Sequence, residues 1–167
     1  MSAQIVLPED RPLRVLFVCT GNICRSPTAE AVARRLFAAA GLDGRVEFDS
    51  AGTHGYHVGE APDPRAMAFA AKHGYDLSGL RARRVEVDDF ARFDLLLAMD
   101  RGHHAQMLAM CPTEHAHRVA MFTGFADEVA DRDVPDPYYG GEAGFREVLD
   151  LCERGVRGLL GAVETGR

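Results

Sequence analysis

Leu13-Arg14-Val15-Leu16-Phe17-Val18-Cys19-Thr20-Gly21-Asn22-Ile23-Cys24-Arg25-Ser26-Pro27 is the stretch whose reading decides the fold. Leu13 to Val18 is an apolar run bounded by turn signals. It is too short for a helix once Gly21 interrupts, so it is expected to be a strand buried on both faces. From Pro27 the period changes: Ala29, Val32, Ala33, Leu36, Phe37 and Ala40 recur at helical spacing. Ser26 is suited to the N-cap, Pro27 to the first helical position and Gly41 to the helix end. Between strand and helix, five residues separate Cys19 from Arg25. A loop of that length curls around one phosphate-sized anion, with its N–H groups turned inward and the helix dipole behind them. Gly21 and Asn22 both tolerate the positive φ that such a turn requires.

Working outward, Arg45–Ser50 is expected as a second strand and Pro64–His73 as a second helix closed by Gly74. Asp94–Met99 is expected as a third strand, Arg101–Met110 as a helix and Arg118–Phe122 as a short fourth strand. In the last helix Phe145, Val148, Leu149, Cys152, Val156, Leu159, Leu160 and Val163 form one apolar stripe. Strands alternating with helices predict a single-domain α/β fold: an open parallel sheet of about four strands with helices on both faces and flavodoxin-like order 2-1-3-4. Such sheets bind ligands beyond the carboxyl ends of their strands, and Cys19 ends strand one.

The 167 residues suffice for one domain with a full core and no metal or disulfide support. A net charge of -6 argues against nucleic-acid or anionic-membrane binding, which needs a basic stripe. The run Arg81, Arg83, Arg84 is the local exception, read as a solvated loop or helix end in preference to a substrate-guiding patch. Residues 1–12 mix charges and prolines and are expected to be a flexible leader without the features of a secretory signal. No apolar stretch approaches the roughly 20 residues of a membrane span. Four cysteines without a signal peptide point to a reducing compartment, and the cytoplasm fits.

The candidate chemistry starts at Cys19. A thiol at a helix N-terminus beside an arginine is favoured as thiolate, the nucleophilic form. Arg25 offers two parallel donors to two phosphate oxygens, where a point charge would not. Ser26 is placed to aim its hydroxyl at the sulfur. Asp136, bracketed by Pro135 and Pro137 on a stiffened loop, suits a general acid; read alone, an Asp-Pro pair equally caps a turn. Tyr138 and Tyr139 are core aromatics by default, or pocket walls if Asp136 faces the phosphate.

The string CTGNICRSP, together with Asp136-Pro137-Tyr138-Tyr139, Ser50-Ala51-Gly52-Thr53 and Ala98-Met99-Asp100, resembles the bacterial type of low-molecular-weight protein tyrosine phosphatase. The likeness covers Arg14 to about Leu160 and makes 13–167 the phosphatase domain. It implies that Cys19 is the nucleophile, Arg25 the phosphate clamp and Asp136 the general acid and later base. It implies a phosphate loop of Thr20, Gly21, Asn22, Ile23, Cys24, Arg25 and Ser26, held in shape by Asn22, Ser26 and Ser50. Ile23 would rim a pocket walled by Tyr138 and Tyr139, and Cys24 would be able to bond an oxidised Cys19. Leu80 stands where many relatives carry a histidine, leaving that part of the network missing or replaced by water. No cofactor or metal is implied; the partner is a phosphotyrosine-containing protein, with the enzyme a monomer or weak dimer.

Three rival readings fit the residues less well. A thiol-dependent arsenate reductase would need a close cysteine pair after strand three, where the chain has Ala98 and a single Cys111. A phosphoarginine phosphatase of the same fold typically carries threonine at the position of Ile23. A non-catalytic phosphate-binding module has no use for Asp136. His103, His104, Cys111, His115 and His117 match no standard zinc spacing and are expected to be exposed helix and loop residues. Cys111 and Cys152 are expected to be structural.

Overall fold

The computed structural model describes residues 4–130 and 132–166. Strand β1 (Leu13–Cys19) runs through the middle of a parallel sheet, with β2 (Val46–Gly52) on one side and β3 (Leu95–Ala98) on the other, followed by β4 (Val119–Met121). The order is therefore β2-β1-β3-β4, as the alternation predicted. Register pairs Cys19 with Gly52 and Val18 with Ala98, so the three strand ends reach the same rim.

Helix α1 (Arg25–Ala39), α2 (Pro64–Lys72) and α5 (Glu142–Thr165) cover one face. There Val15 and Phe17 meet Phe37, Phe48, Phe122 and the stripe of α5. Phe17 stacks on Phe48 at 5.9 Å and takes the edge of Phe122 at 5.4 Å. The other face of β1, Leu16 and Val18, packs with Phe90 of the short α3 (Asp89–Arg92) and Met107 of α4 (Arg101–Met110). Burial on both faces explains why β1 is apolar throughout its inner length. Of the predicted stripe on α5, all but Leu160 is buried, and Leu160 packs against it.

Three expectations change. Helix α1 begins at Arg25 with Cys24 at its cap position and no side-chain cap; Ser26 lies inside the helix, its hydroxyl engaged elsewhere. Short 3-10 turns and α3 carry no periodic pattern of their own and were not anticipated. The described part of the 1–12 leader is docked: Leu7 is buried, the Ile5 N–H donates to the Ala162 carbonyl at 3.0 Å, and Arg11 makes two 2.8 Å bonds to Asp94. Its charges and prolines obscured the apolar Ile5-Val6-Leu7, which supplies the contact; residues 1–3 lie outside the described residues. Among the described residues no helix is long and apolar enough to cross a membrane.

Candidate active site

Beyond the ends of β1 and β2 lies a cavity of about 240 Å³ lined by Cys19, Thr20, Gly21, Ile23, Cys24, Arg25, Tyr56, His57, Asp136, Tyr138 and Tyr139. A larger groove of about 810 Å³ runs along the free edge of β2, but its arginines are paired with carboxylates: Arg14 with Glu47, Arg34 with Glu30, Arg83 with Asp49 and Asp89, and Arg92 with Glu86 and Asp89. The nucleophilic and acidic candidates sit together only in the smaller cavity.

The loop is shaped by one left-handed residue, Asn22 at φ 60°. Gly21 does not share that conformation; its lack of a side chain admits His57, whose Cδ2 would lie 2.9 Å from a Cβ there. Gly52 backs the loop from β2: a Cβ on it would stand 2.5 Å from the Thr20 carbonyl oxygen and 3.2 Å from the Asn22 nitrogen. Among the described residues, none of the backbone N–H groups of Gly21 through Arg25 donates to a carbonyl.

Beneath the loop runs a chain of hydrogen bonds with a definite direction. The Asn22 amide oxygen accepts from the Arg83 N–H at 3.0 Å, which fixes which end of the amide is Nδ2. Nδ2 then donates to Ser26 Oγ at 2.8 Å and Ser50 Oγ at 2.9 Å. Ser50 passes its proton to Glu30 Oε1 at 2.7 Å. Ser26, already an acceptor, has its own proton free for Cys19 Sγ at 3.0 Å, a shorter contact than the 3.5 Å to the Ala51 carbonyl. Asn22, Ser26, Ser50, Glu30 and Cys19 are all buried, and Leu80 packs against the core instead of joining them. Glu30 ends the chain. Burial raises the Glu30 pKa, opposed by Ser50 and by Arg34, which grips Oε2 through Nε at 2.9 Å and Nη2 at 2.6 Å.

Arg25 is 4% exposed and held from several sides. Nη1 donates to Asp100 Oδ2 at 3.0 Å and to the Val134 carbonyl at 3.2 Å, and Nη2 to Thr20 Oγ1 at 3.2 Å. That leaves Nε–H and the second Nη2–H on one edge of the guanidinium, the pair suited to two oxygens of one anion. Asp136 Oδ2 stands 3.7 Å from Nη2, and its Oδ1 accepts the Tyr138 N–H at 3.0 Å. Tyr138 and Tyr139 meet edge to face at 4.9 Å, with Tyr139 93% exposed.

His103 was expected on an exposed helix surface, but it is 3% exposed and reaches Thr20 Oγ1 through Nε2 at 2.8 Å. Thr20 also accepts from Arg25, and the Asp100 carboxylate 3.1 Å from Nδ1 favours the tautomer with its hydrogen on Nδ1, which makes Nε2 the acceptor of the Thr20 hydroxyl proton. Nδ1 lies 3.1 Å from Asp100 Oδ1, out of line for a hydrogen bond. Burial and the neighbouring Arg25 lower the His103 pKa to about 4, against the pull of Asp100 and Asp136; His54 adds to the lowering. The folded pKa lies below the ordinary 6.5, so His103's contribution to stability is present above pH 6.5 and is lost as pH falls toward 4. Urea unfolding at pH 7 and pH 4.5 should cost the wild type about 2 kcal/mol more than His103→Asn. Equal acid losses in the two proteins would contradict a neutral buried His103.

Cys24 is buried, and burial, with Asp63 next in weight, pushes its thiol up to about 12. Burial also raises Cys152, whose Sγ lies 4.0 Å from the Arg25 carbonyl. Glu30, His103, Tyr56 and His57 are the site residues that sequence reasoning did not find. Glu30 had a signal, a charge one turn beyond Ser26 on the buried side of α1. His103 shares a helix face with the apolar Met107, four residues on.

An open parallel sheet with a Cys-x5-Arg loop at the end of its first strand, faced by a carboxylate, defines a cysteine-dependent phosphatase architecture. Residues 14–167 match the family model for low molecular weight phosphotyrosine protein phosphatase. The chain is 51% identical to the low molecular weight protein-tyrosine-phosphatase of Streptomyces coelicolor over 90% of this chain and 93% of that one. Among solved structures it resembles a protein tyrosine phosphatase from Entamoeba histolytica with Hepes in its active site, at TM-score 0.89 and 38% identity over 92% and 98% of the two chains. YfkJ from Bacillus subtilis gives TM-score 0.89 and 34% identity over 96% and 99%. This chain belongs to the low molecular weight protein tyrosine phosphatase family, a family of hydrolases acting on phosphoproteins.

Proposed function

We propose that the protein hydrolyses phosphotyrosine monoesters through a cysteinyl-phosphate, with Cys19 as nucleophile, Arg25 as phosphate clamp and Asp136 as general acid and then base. The observation that carries this is the network in which the Asn22 amide donates to Ser50, itself a donor to Glu30, and to Ser26, whose hydroxyl stands 3.0 Å from the Cys19 sulfur, in a cavity that also holds Arg25 and Asp136. The loop N–H groups and the Nε–Nη2 edge of Arg25 receive the three non-bridging oxygens. Cys19 sulfur attacks phosphorus as the phosphorus–oxygen bond to the phenol breaks, and Asp136 gives its proton to the leaving oxygen. Water then attacks phosphorus, Asp136 takes its proton, and Ser26 steadies the thiolate as the sulfur–phosphorus bond opens.

Tyr138, Tyr139 and Tyr56 give the cavity apolar walls, and with the Ile23 rim they favour a flat phenyl ester over a short phosphoserine. Phosphotyrosine peptides should therefore be turned over well ahead of phosphoserine and phosphoarginine peptides. If Cys19 is oxidised to a sulfenic acid, Cys24 is the thiol in the same loop that would capture it as a disulfide. Its raised pKa makes that capture slow at neutral pH.

The acid role is tested with a leaving-group series. Asp136→Asn should lose roughly 10²- to 10⁴-fold in kcat/KM, which reports the step that expels the phenol, on tyrosine-like esters. The loss should shrink steadily toward activated aryl phosphates, which depart without a proton. A uniform loss across the series would mean that the substitution collapses the loop and that Asp136 transfers no proton.

A further inference from the structure

The phosphate loop and the loop carrying Asp136 come from distant parts of the chain, and the start of α2 joins them. Asp63, 7% exposed, donates its N–H to the Ile23 carbonyl in the phosphate loop at 2.8 Å. Its carboxylate accepts the Arg65 N–H at 2.8 Å, Arg65 Nε at 3.1 Å and Nη2 at 2.9 Å. Arg65 Nη2 also donates to the Tyr138 carbonyl at 2.8 Å, and the guanidinium lies 5.5 Å from the Tyr138 ring centre and 5.2 Å from that of Phe145. The N–H of the same Tyr138 is the one that donates to the Asp136 carboxylate.

Upstream the segment is held at Val134, whose N–H donates to the Met99 carbonyl at 2.8 Å and whose carbonyl accepts from Arg25; downstream of Val134 Arg65 is the tie. Among the described residues, the other hydrogen bonds of 135–141 are local, from Tyr138 to Asp136, Gly140 to Pro137 and Gly144 to Gly141. The bond from Arg65 to Tyr138 alone ties that stretch to another part of the fold, apart from the 3.7 Å ion pair of Asp136 with Arg25. Arg65 does not line the cavity, so its influence on chemistry passes through Tyr138.

We propose that Arg65, anchored by Asp63, is a positioning residue that fixes the Asp136 loop against the phosphate loop. This rests on the reading of Asp136 as the general acid. Arginine is required because one planar fork must serve a carboxylate and a carbonyl together while stacking on two rings; a lysine has the charge without the fork. The strut sets where the acid sits, so its loss should slow the proton-dependent step and spare phosphate binding.

The test combines kinetics with hydrogen exchange on the intact protein. In Arg65→Ala, amide exchange across 136–141 should quicken while that of 13–39 and of Val134 stays as in the wild type. Its kcat/KM on phosphotyrosine should fall about 10-fold with phosphate affinity within about 2-fold, and kcat/KM on an activated aryl phosphate should change by less than about 2-fold. Placed in an Asp136→Asn background, Arg65→Ala should cost nothing further, the signature of two residues acting through one step. Arg65→Lys should recover little of the loss. Unchanged exchange in 136–141, equal losses with all leaving groups, or additive losses in the double variant would each overturn the proposal. Should Asp136→Asn itself show no leaving-group dependence, the acid assignment fails, and the exchange measurement decides by itself whether Arg65 holds the loop.

Discussion

Cys19→Ser should reduce turnover by roughly 10⁵-fold or more, the scale on which hydrolases lose activity when a covalent nucleophile is removed. Phosphate and vanadate should still bind with largely unchanged affinity. The reason is a division of labour within the loop. The anion is gripped by backbone N–H groups and by Arg25, whose guanidinium is held by Asp100, Val134 and Thr20 and makes no bond to Cys19. The conformation of the loop depends on Asn22 and its partners Ser26, Ser50 and Arg83, so a hydroxyl in place of the sulfur leaves that support standing. Substantial residual turnover would remove Cys19 from the nucleophile's role. Loss of vanadate binding along with turnover would mean that the sulfur shapes the loop.

Arg25→Lys should be nearly as damaging, roughly 10³-fold or more in kcat/KM, as for removal of a principal donor to transition-state charge. Arg25 meets three protein partners at 3.0–3.2 Å while keeping two N–H bonds for the substrate. An ammonium has three hydrogens in all and cannot satisfy Asp100, the Val134 carbonyl and two phosphate oxygens together. The variant would also leave Asp100, Thr20 and His103 without their common neighbour, so anion affinity should fall with rate. Near-normal kcat/KM in Arg25→Lys would show that the two-pronged grip is not made. The contrast is itself informative: Cys19→Ser separates chemistry from binding, and Arg25→Lys removes both.

The parts of this protein that were readable from the sequence are those with local causes. Strand β1, α1 and the loop between them follow from an apolar run, a change of period and a five-residue spacing, all within one stretch of chain. Asn22 was identified as able to turn left-handed because few residues can, and it does so. Helix α5 followed from its stripe. What escaped depended on contacts between distant segments. His103 looked like a surface residue on α4 until the sheet brought Thr20 to within 2.8 Å of it, 83 positions away. Glu30 is a surface residue by composition and becomes an inner one because β2 places Ser50 against it. Ser26 has the chemistry of a helix cap, but the helix starts one residue before it and turns the hydroxyl to the sulfur. The leader was misjudged for the same reason: its contacts with α5 and Asp94 lie more than 80 residues along the chain.

Arg65 belongs to this second group. Asp63-Pro64-Arg65 reads in sequence as an ordinary helix start, an acidic cap followed by proline, and that is what it is locally. Its second engagement, with Tyr138, becomes visible only when α2 and α5 pack side by side.

Passage of the phosphoryl group through Cys19 is tested most directly by mixing the protein with phosphotyrosine peptide, quenching in acid within milliseconds and mapping the modified peptide by mass spectrometry. One phosphoryl group is expected, on the peptide containing Cys19 and lost in Cys19→Ser. Phosphate release by an active enzyme with no such adduct at any quench time, or an adduct on a residue other than Cys19, would contradict it.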